Sequence, residues 1–260
     1  MCTCLLSFDP SSPIPVLLVG VRDEYADRAW DPPAAHWPDR PALLGGRDRL
    51  AGGTWLAVNP SLPRAACVLN GCGVDAPPRD RLSRGDLPLR AASDGRLGGL
   101  DHSRLDPFHL VCAEPDRVRL WTWTGRDLTE RTLEPGVHLV VNTGLDDTCP
   151  GPTAIPQSAL DGIRARLAHF RPRLEAAARP EPEDGDPAGA WGDWLPLAEG
   201  DGLDPSDPRA LLHRHVTAED RVFATTSVSL VALGPRTVRY DFSGRPGDPS
   251  AWTTVLPGPR

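Results

Sequence analysis

The chain opens on two apolar segments that define its first structural unit, TCLLSF at residues 3–8 and IPVLLVGV at residues 14–21. Between them lies DPSSP at residues 9–13, in which aspartate, proline and serine favour a reversal of the chain. The second segment is an almost unbroken apolar run, which is typical of a strand buried on both faces. The sequence therefore predicts a β-hairpin whose second strand is central in a sheet.

Strand patterns recur along the rest of the chain. We expect strands at residues 52–59, 65–70, 108–113, 117–124 and 137–142, and a closing hairpin from residues 222–233 and 237–242. Helical patterns occupy residues 82–92 and, over a greater length, residues 159–178. Hairpins at both ends with helices between them indicate an α+β fold, in which stacked antiparallel sheets are covered by helices.

A chain of 260 residues is long enough to bury a sizeable core. No linker divides it near the middle, so we predict a single domain over residues 1–260. The segment 179–208 is rich in proline, aspartate and glutamate, and we expect it to form a surface excursion.

Composition excludes several classes of function. The formal net charge is −7 and all 28 basic residues are arginine, so the clustered basic surplus of a nucleic-acid-binding protein is missing. The apolar run at residues 14–21 is far shorter than the roughly 20 residues that span a membrane. The N-terminus lacks the basic and apolar regions of a secretory signal, so we expect a cytoplasmic protein. The 30 prolines and 25 glycines are typical of a GC-rich genome, which favours a bacterial source.

Six cysteines could form disulfides or bind a metal. Disulfides are not expected in a cytosolic chain of this length, and Cys67, Cys112 and Cys149 are interpreted as buried thiols. In an extended strand Cys2 and Cys4 would point to the same face, so a metal held by this pair is the weakest of the alternatives. We predict no metal site.

Cys2 has the most chemical meaning of the six cysteines. Removal of Met1 would leave it with a free α-amine, which titrates near pH 8, beside a thiol that titrates near 8.5. Such an amine can take the proton of the sulfur and later return it to a leaving group, so nucleophile and base reside in one residue. A buried strand beginning at Thr3 would hold that geometry.

Other polar residues follow strands that could lie near Cys2. Arg22 ends the second hairpin strand, where its guanidinium would favour the thiolate. Asp23 would face away from Arg22 in an extended chain, and it could instead close the hairpin mouth through an ion pair. Asn70 and Asn142 each end a later strand, where a side-chain amide can stabilise an oxyanion or cap a turn.

Several short motifs together resemble a known family. They are MC at 1–2, VRDE at 21–24, GGTWL at 52–56, LN at 69–70, RGD at 84–86, LEPG at 133–136 leading to Asn142, and TTS at 225–227. In this order and spacing they resemble the NRDE family, the transport and Golgi organisation protein 2 family. Val21 stands where the name-giving Asn-Arg-Asp-Glu has asparagine.

The resemblance implies a fold similar to the N-terminal-nucleophile hydrolases, a four-layer αββα sandwich. Within them, the choloylglycine-hydrolase and penicillin-acylase group also begins with Met-Cys. It also has an arginine after its second strand and two strand-terminal asparagines. This pattern carries over onto Cys2, Arg22, Asn70 and Asn142, with Asp23 as a fifth candidate although that group has Arg-x-x-Asp. A late arginine of that group has no evident counterpart, since Thr226 or Arg221 stands there.

Two functions follow from the resemblance. One is a hydrolase that cleaves a small-molecule amide or thioester with Cys2. The other is a non-catalytic protein on the same fold that binds or traffics haem, acyl-CoA or lipid, as the eukaryotic relatives suggest. We expect no cofactor, with haem as the one alternative. Haem would need an axial ligand, for which His36, His213 and His215 are nominal candidates. The walls of the site are expected from residues 29–41 and 75–106.

Overall fold

The computed structural model describes residues 2–148, 155–182 and 184–258. The predicted N-terminal hairpin is present as strands β1 (Thr3–Phe8) and β2 (Val16–Tyr25), which pair antiparallel. β2 continues past residue 21 into charged sequence because it pairs along its length with the strand Val222–Leu233. That pairing places β2 in the interior of its sheet, as the apolar run predicted.

β1 and β2 belong to an eight-stranded sheet, which we call the first sheet. Its other strands are β10 (Gly136–Val141), β11 (Gly144–Leu145), β12 (Arg214–Val216), β13 (Val222–Leu233), β14 (Val238–Ser243) and β15 (Trp252–Leu256). The strand order is β11-β10-β1-β2-β13-β14-β15, with β12 paired to β13. All pairings are antiparallel, and the closing hairpin predicted from the sequence is β13 with β14.

The second sheet is a five-stranded antiparallel meander. It contains β5 (Leu56–Asn59), β6 (Arg64–Asn70), β7 (Phe108–Glu114), β8 (Arg117–Trp123) and β9 (Leu128–Leu133), in that order. β9 has no counterpart among the predicted strands, because all its residues except Leu133 are exposed and give no apolar pattern. Two further strands, β3 (Trp30–Ala34) and β4 (Gly45–Asp48), pair with each other as a separate antiparallel ribbon.

Four α-helices complete the described fold, α1 (Leu87–Asp94), α2 (Gln157–Ala176), α3 (Pro187–Trp191) and α4 (Trp194–Ala198). The helix predicted over residues 82–92 begins later than expected, because a 3-10 turn over Arg84–Asp86 precedes it. Among the described residues no helix is long and apolar enough to cross a bilayer.

Three apolar clusters show how these elements are layered. Leu6 and Leu18 of the first sheet pack against Leu69 and Val111 of the second sheet, so the two sheets face each other. The outer face of the first sheet packs on α2, α3 and α4, and the outer face of the second sheet packs on α1. The layers therefore run helix, sheet, sheet, helix, which confirms the predicted α+β fold, an αββα sandwich of two stacked antiparallel sheets flanked by helices.

The prediction of a surface excursion at residues 179–208 was wrong for its central part. Trp191 and Trp194 are almost fully buried, and both belong to the cluster against the first sheet. The sequence does not reveal these two core residues. Each lies on a helix of only five residues, which is too short to show an apolar periodicity among the surrounding polar residues. The single-domain interpretation stays a prediction.

The cysteines differ from one another in their state. Cys2, Cys4, Cys67 and Cys112 are free thiols, and Cys67 and Cys112 are buried as predicted. Cys72 is disulfide-bonded, so the expectation of a chain without disulfides was wrong; it rested on the inferred compartment and not on geometry. Cys149 lies outside the described residues. Within the described residues no three histidine, cysteine, aspartate or glutamate side chains form a group that could hold a metal ion.

Candidate functional site

Strand register brings three of the predicted site residues into one row. Thr3 of β1 pairs with Val21 of β2 on one side and with Val141 of β10 on the other. Extending both ladders by one residue sets Cys2 between Arg22 and Asn142. Side chains alternate along a strand, and Cys4 faces the core between the sheets, against which Cys2 also packs. The inner face of the first sheet therefore carries Cys2, Arg22 and Asn142 side by side, at the end of the sheet where β1 begins.

A β-bulge in β13 helps to hold the guanidinium of Arg22. The register of β13 against β2 shifts between Thr225 and Ser227, which adds Thr226 as an extra residue. Its Oγ1 accepts a hydrogen bond of 2.8 Å from Nη1 of Arg22. The guanidinium lies 4.4 Å from the ring centroid of Trp55, a cation–π contact. The guanidinium of Arg22 is thus held both by a hydrogen bond and by contact with an aromatic ring.

Asp23 faces the opposite side of the sheet, as the alternation predicted. Its Oδ1 accepts a 2.6 Å hydrogen bond from Thr225, on the side where Arg166 lies buried and donates to Thr3 at 2.9 Å. The backbone carbonyl of Asp23, however, accepts a contact of 3.6 Å from Sγ of Cys2. Asp23 therefore contacts the Cys2 sulfur through its main chain, whereas its carboxylate lies on the opposite side of the sheet and bonds to Thr225.

The two asparagines form one unit across the sheets. Nδ2 of Asn142 donates to the backbone carbonyl of Asn70 over 2.9 Å. Asn142 is buried, whereas Asn70 is exposed and lines the same cavity as Cys2. In the described part of the chain Oδ1 of Asn142 has no hydrogen-bond partner. The structure thus brings both predicted asparagines to the Cys2 end of the sandwich.

Cys2 opens onto a cavity of about 490 Å³. One wall is the loop of residues 81–85, within the predicted 75–106, and another comes from residues 48–55. The prediction that residues 29–41 form a wall was wrong, because Trp30 and Pro32 line a different cavity. The Cys2 cavity is strongly charged, and its basic residues are Arg22, Arg28, Arg81 and Arg84.

Two glycines explain why these walls meet. The amide of Thr54 donates 2.9 Å to the carbonyl of Gly85, so the backbones of two of the quoted motifs touch. A Cβ on Gly53 would lie 2.4 Å from the carbonyl carbon of Gly85, which is inside van der Waals contact. Glycine at residue 53 therefore allows the loop that carries Arg84 to pack against residues 53–54 and form a wall of the cavity.

Replacing Gly53 with alanine is expected to destabilise the protein by about 1–3 kcal/mol, since neither backbone can move away without breaking the contact. Urea unfolding measures this change. Gly99→Ala is the matched control, because a Cβ there meets no atom within 4 Å. Equal stability of the two variants would contradict the proposed backbone contact.

The thiol of Cys2 is not activated at rest. Burial raises its pKa, the charge of Asp23 raises it further, and the N-terminal ammonium opposes them. Arg22 and a Cys2 thiolate attract each other, but burial penalises the charged sulfur and has the larger effect on the Cys2 thiol. A thiol in this setting needs a base to become a nucleophile.

His109 was not found from the sequence, because a single histidine in an apolar strand carries no pattern. It lies on β7 beside the strand that ends at Asn70, and its Nδ1 is 2.9 Å from Oγ1 of Thr122. Burial lowers its pKa to about 4, against an opposing effect of the Asn142 backbone. The imidazole is therefore neutral in the folded protein at neutral pH.

Stability should fall as the pH is lowered from about 6.5 to about 4, because the unfolded state protonates His109 in this range and the folded state does not. Urea unfolding at about pH 7.5 and about pH 5 should show a loss that is about 2 kcal/mol smaller in His109→Gln than in the unchanged protein. An unaltered pH dependence in the variant would show that His109 titrates normally.

Two of the candidate haem ligands, His213 and His215, line one cavity of about 790 Å³, and His36 is not among the residues that line it. Nε2 of His36 is engaged by the carbonyl of Pro32 at 2.8 Å, and Nε2 of His213 contacts the Arg166 guanidinium. His215 packs beside Phe223 with ring centroids 5.5 Å apart. The Nε2 atoms of His36 and His213 are thus already engaged, and the hydrolase function proposed below does not involve haem.

The fold and the row of side chains define a class of protein, an αββα sandwich with a cysteine at the start of its first strand. The chain belongs to the Transport and Golgi organisation 2 family, whose model matches residues 1–159. No curated protein matches it in sequence. Among solved structures it is similar to a mutant of the conjugated bile acid hydrolase from Clostridium perfringens. The identity is 11%, the TM-score is 0.48, and the match covers 98% of this chain and 92% of that one.

Proposed function

We propose that the protein is an N-terminal-nucleophile hydrolase, in which Cys2 cleaves the amide or thioester bond of a small molecule. The observation that carries the proposal is the row of Cys2, Arg22 and Asn142 on one face of the first sheet. Cys2 and Arg22 line a cavity of about 490 Å³, and Asn142 contacts Asn70 on the wall of that cavity. A cavity of this size suits a small ligand.

The base is the α-amine that Cys2 exposes once Met1 is removed. The amine takes the thiol proton as Sγ forms a bond to the carbonyl carbon of the substrate. Because burial keeps the resting sulfur protonated, this transfer is what generates the nucleophile. Arg22 then stabilises the negative charge that develops on the sulfur.

The carbonyl oxygen becomes negative as the tetrahedral intermediate forms. One N–H of Asn142 is used on the Asn70 carbonyl, which orients the amide group and leaves its second N–H for the oxyanion. The side-chain amide of Asn70, on the cavity wall, is the second donor. The intermediate collapses as the bond to the leaving amine or thiol breaks, and the α-ammonium returns its proton to that group. Water then hydrolyses the acyl-enzyme thioester by the same sequence of proton transfers.

Intact mass and peptide mapping after brief iodoacetamide treatment test the proposal. We expect Met1 to be absent and Cys2 to be labelled before any other cysteine. Cys4 is the internal control, since it lies on the same strand and face but is fully buried. Labelling of Cys2 no faster than Cys4 would remove the basis for a nucleophile.

A second candidate function is non-catalytic binding of an acyl-CoA or lipid, which a separate cavity favours. It measures about 790 Å³, and its apolar lining includes Ile155, Ala159 and Phe223. If this function holds, acyl-CoA should raise the melting temperature equally in the unchanged protein and in Cys2→Ala. An effect that requires Cys2 would assign the ligand to the hydrolase site instead.

A further inference from the structure

One guanidinium in the Cys2 cavity has no carboxylate bound to it among the residues that the structure describes. Arg84 lies in the 3-10 turn that forms one wall. Its Nη1 donates 2.8 Å to the carbonyl of Pro107. Across residues 2–148, 155–182 and 184–258 it forms no ion pair within 4.0 Å. A neutral carbonyl does not balance the charge of a partly buried guanidinium.

The other arginines of the cavity are paired. Nε of Arg28 lies 2.6 Å from a carboxylate oxygen of Asp48, and Arg22 lies 3.7 Å from the same oxygen. Arg81 is paired with Asp106 at 3.1 Å. Among the described residues of this cavity, Arg84 is therefore the cation that the protein leaves available to a ligand.

Among the described residues, no carboxylate contacts the Arg84 guanidinium in the resting site, although Asp106 and Asp75 act on it from further away. Burial lowers its pKa, while Asp106 and Cys2 act in the opposite direction from a distance. Cys2 is a neutral thiol at rest, because burial raises its pKa, so the sulfur does not supply the missing negative charge. Arg84 and Cys2 line the same cavity, so an anion held by Arg84 would share that cavity with the sulfur.

We propose that Arg84 binds a carboxylate of the substrate, so that the enzyme acts on small amides or thioesters that carry an acid group near the scissile bond. A guanidinium presents parallel N–H donors that match the two oxygens of a carboxylate. This inference rests on the hydrolase function proposed above, because it requires the substrate carbonyl to reach Cys2. It makes Arg84 a substrate-binding residue.

Two alkylating agents of nearly equal size test this assignment directly. Iodoacetate carries a carboxylate and iodoacetamide carries a neutral amide. In both reactions an S–C bond forms at Cys2, the C–I bond breaks, iodide leaves, and the thiol proton passes to the buffer. The Cys2 rate constants are measured by mass spectrometry for each reagent. Arg84→Gln should lower the iodoacetate rate constant about tenfold or more, the effect of losing one charge-assisted hydrogen bond. The iodoacetamide rate constant should change far less.

Arg28→Gln is the matched control, because it removes an equal charge from the opposite wall, where Asp48 holds the guanidinium. A similar loss of iodoacetate rate in this control would assign the effect to the general field and overturn the role of Arg84. If Arg84→Gln lowered the iodoacetate and iodoacetamide rate constants by the same factor, Arg84 would act on the Cys2 thiolate. That result would also overturn its proposed role in carboxylate binding.

A measurement on the unchanged protein removes dependence on the folding of the variants. Propionate should slow iodoacetamide labelling of Cys2, whereas propionamide at the same concentration should not; equal effects would contradict the inference. If neither reagent labels Cys2, the hydrolase proposal itself fails. If both label Cys2 and Arg84→Gln leaves their ratio unchanged, the hydrolase proposal stands and the carboxylate site is wrong.

Discussion

Insertion of a lysine between Met1 and Cys2 should lower the turnover of a phenyl thioester probe by about 10²- to 10⁴-fold, the contribution of a positioned general base. A large residue in the second position prevents removal of Met1, so the nitrogen of Cys2 remains an amide and cannot accept a proton. The thiol itself is unchanged. Release of thiophenol, followed spectrophotometrically, gives kcat.

Two further proteins make this experiment decisive. Insertion of glycine in place of lysine permits removal of Met1 but moves the free amine one residue away from the sulfur. It should be as inactive as the lysine insertion if the position of the amine matters. Cys2→Ala removes the nucleophile and sets the background rate. Full turnover in the lysine insertion would show that another group is the base and would end the N-terminal-nucleophile mechanism for this protein.

The row of Cys2, Arg22 and Asn142 could be predicted because it depends on local pairing. A hairpin fixes which residues of its two strands are neighbours, so the end of β2 had to lie beside the start of β1. The family resemblance supplied β10, which pairs on the other side of β1. Side chains alternate along a strand, so the sequence alone also predicts that Arg22 and Asp23 face opposite sides of the sheet.

The rest of the site depends on contacts between distant segments, which sequence patterns do not encode. Arg84 reaches the cavity because Gly85 touches Gly53, and no periodicity links these positions. The raised pKa of the Cys2 thiol comes first from burial, which only the packed sandwich provides. A similar limit applies to the segment 179–208, where Trp191 and Trp194 are core residues within a polar, proline-rich context.

The second large effect is expected at a buried ion pair, Arg239 with Asp241, which also binds Trp191. Both side chains are almost fully buried on β14. Oδ2 of Asp241 accepts from Nε of Arg239 at 2.6 Å and from Nε1 of Trp191 at 2.7 Å. Oδ1 accepts from Thr254 at 2.7 Å. One carboxylate on β14 thus binds α3 and the neighbouring strand β15, and it balances a buried guanidinium.

Asp241→Ala is expected to lower the free energy of unfolding by about 3–5 kcal/mol, because it removes the carboxylate that Arg239 binds and leaves that charge buried. Urea unfolding followed by circular dichroism measures the loss, and Asp27→Ala, at an exposed ion pair with Arg221, should change stability little. The double variant Arg239→Leu/Asp241→Leu separates charge from packing, since replacing both partners of a buried pair by apolar residues is often close to neutral. Its stability should therefore exceed that of Asp241→Ala. If the double variant were less stable, the carboxylate would matter chiefly as the hydrogen-bond acceptor for Trp191 and Thr254, and the charge of Arg239 would be balanced elsewhere.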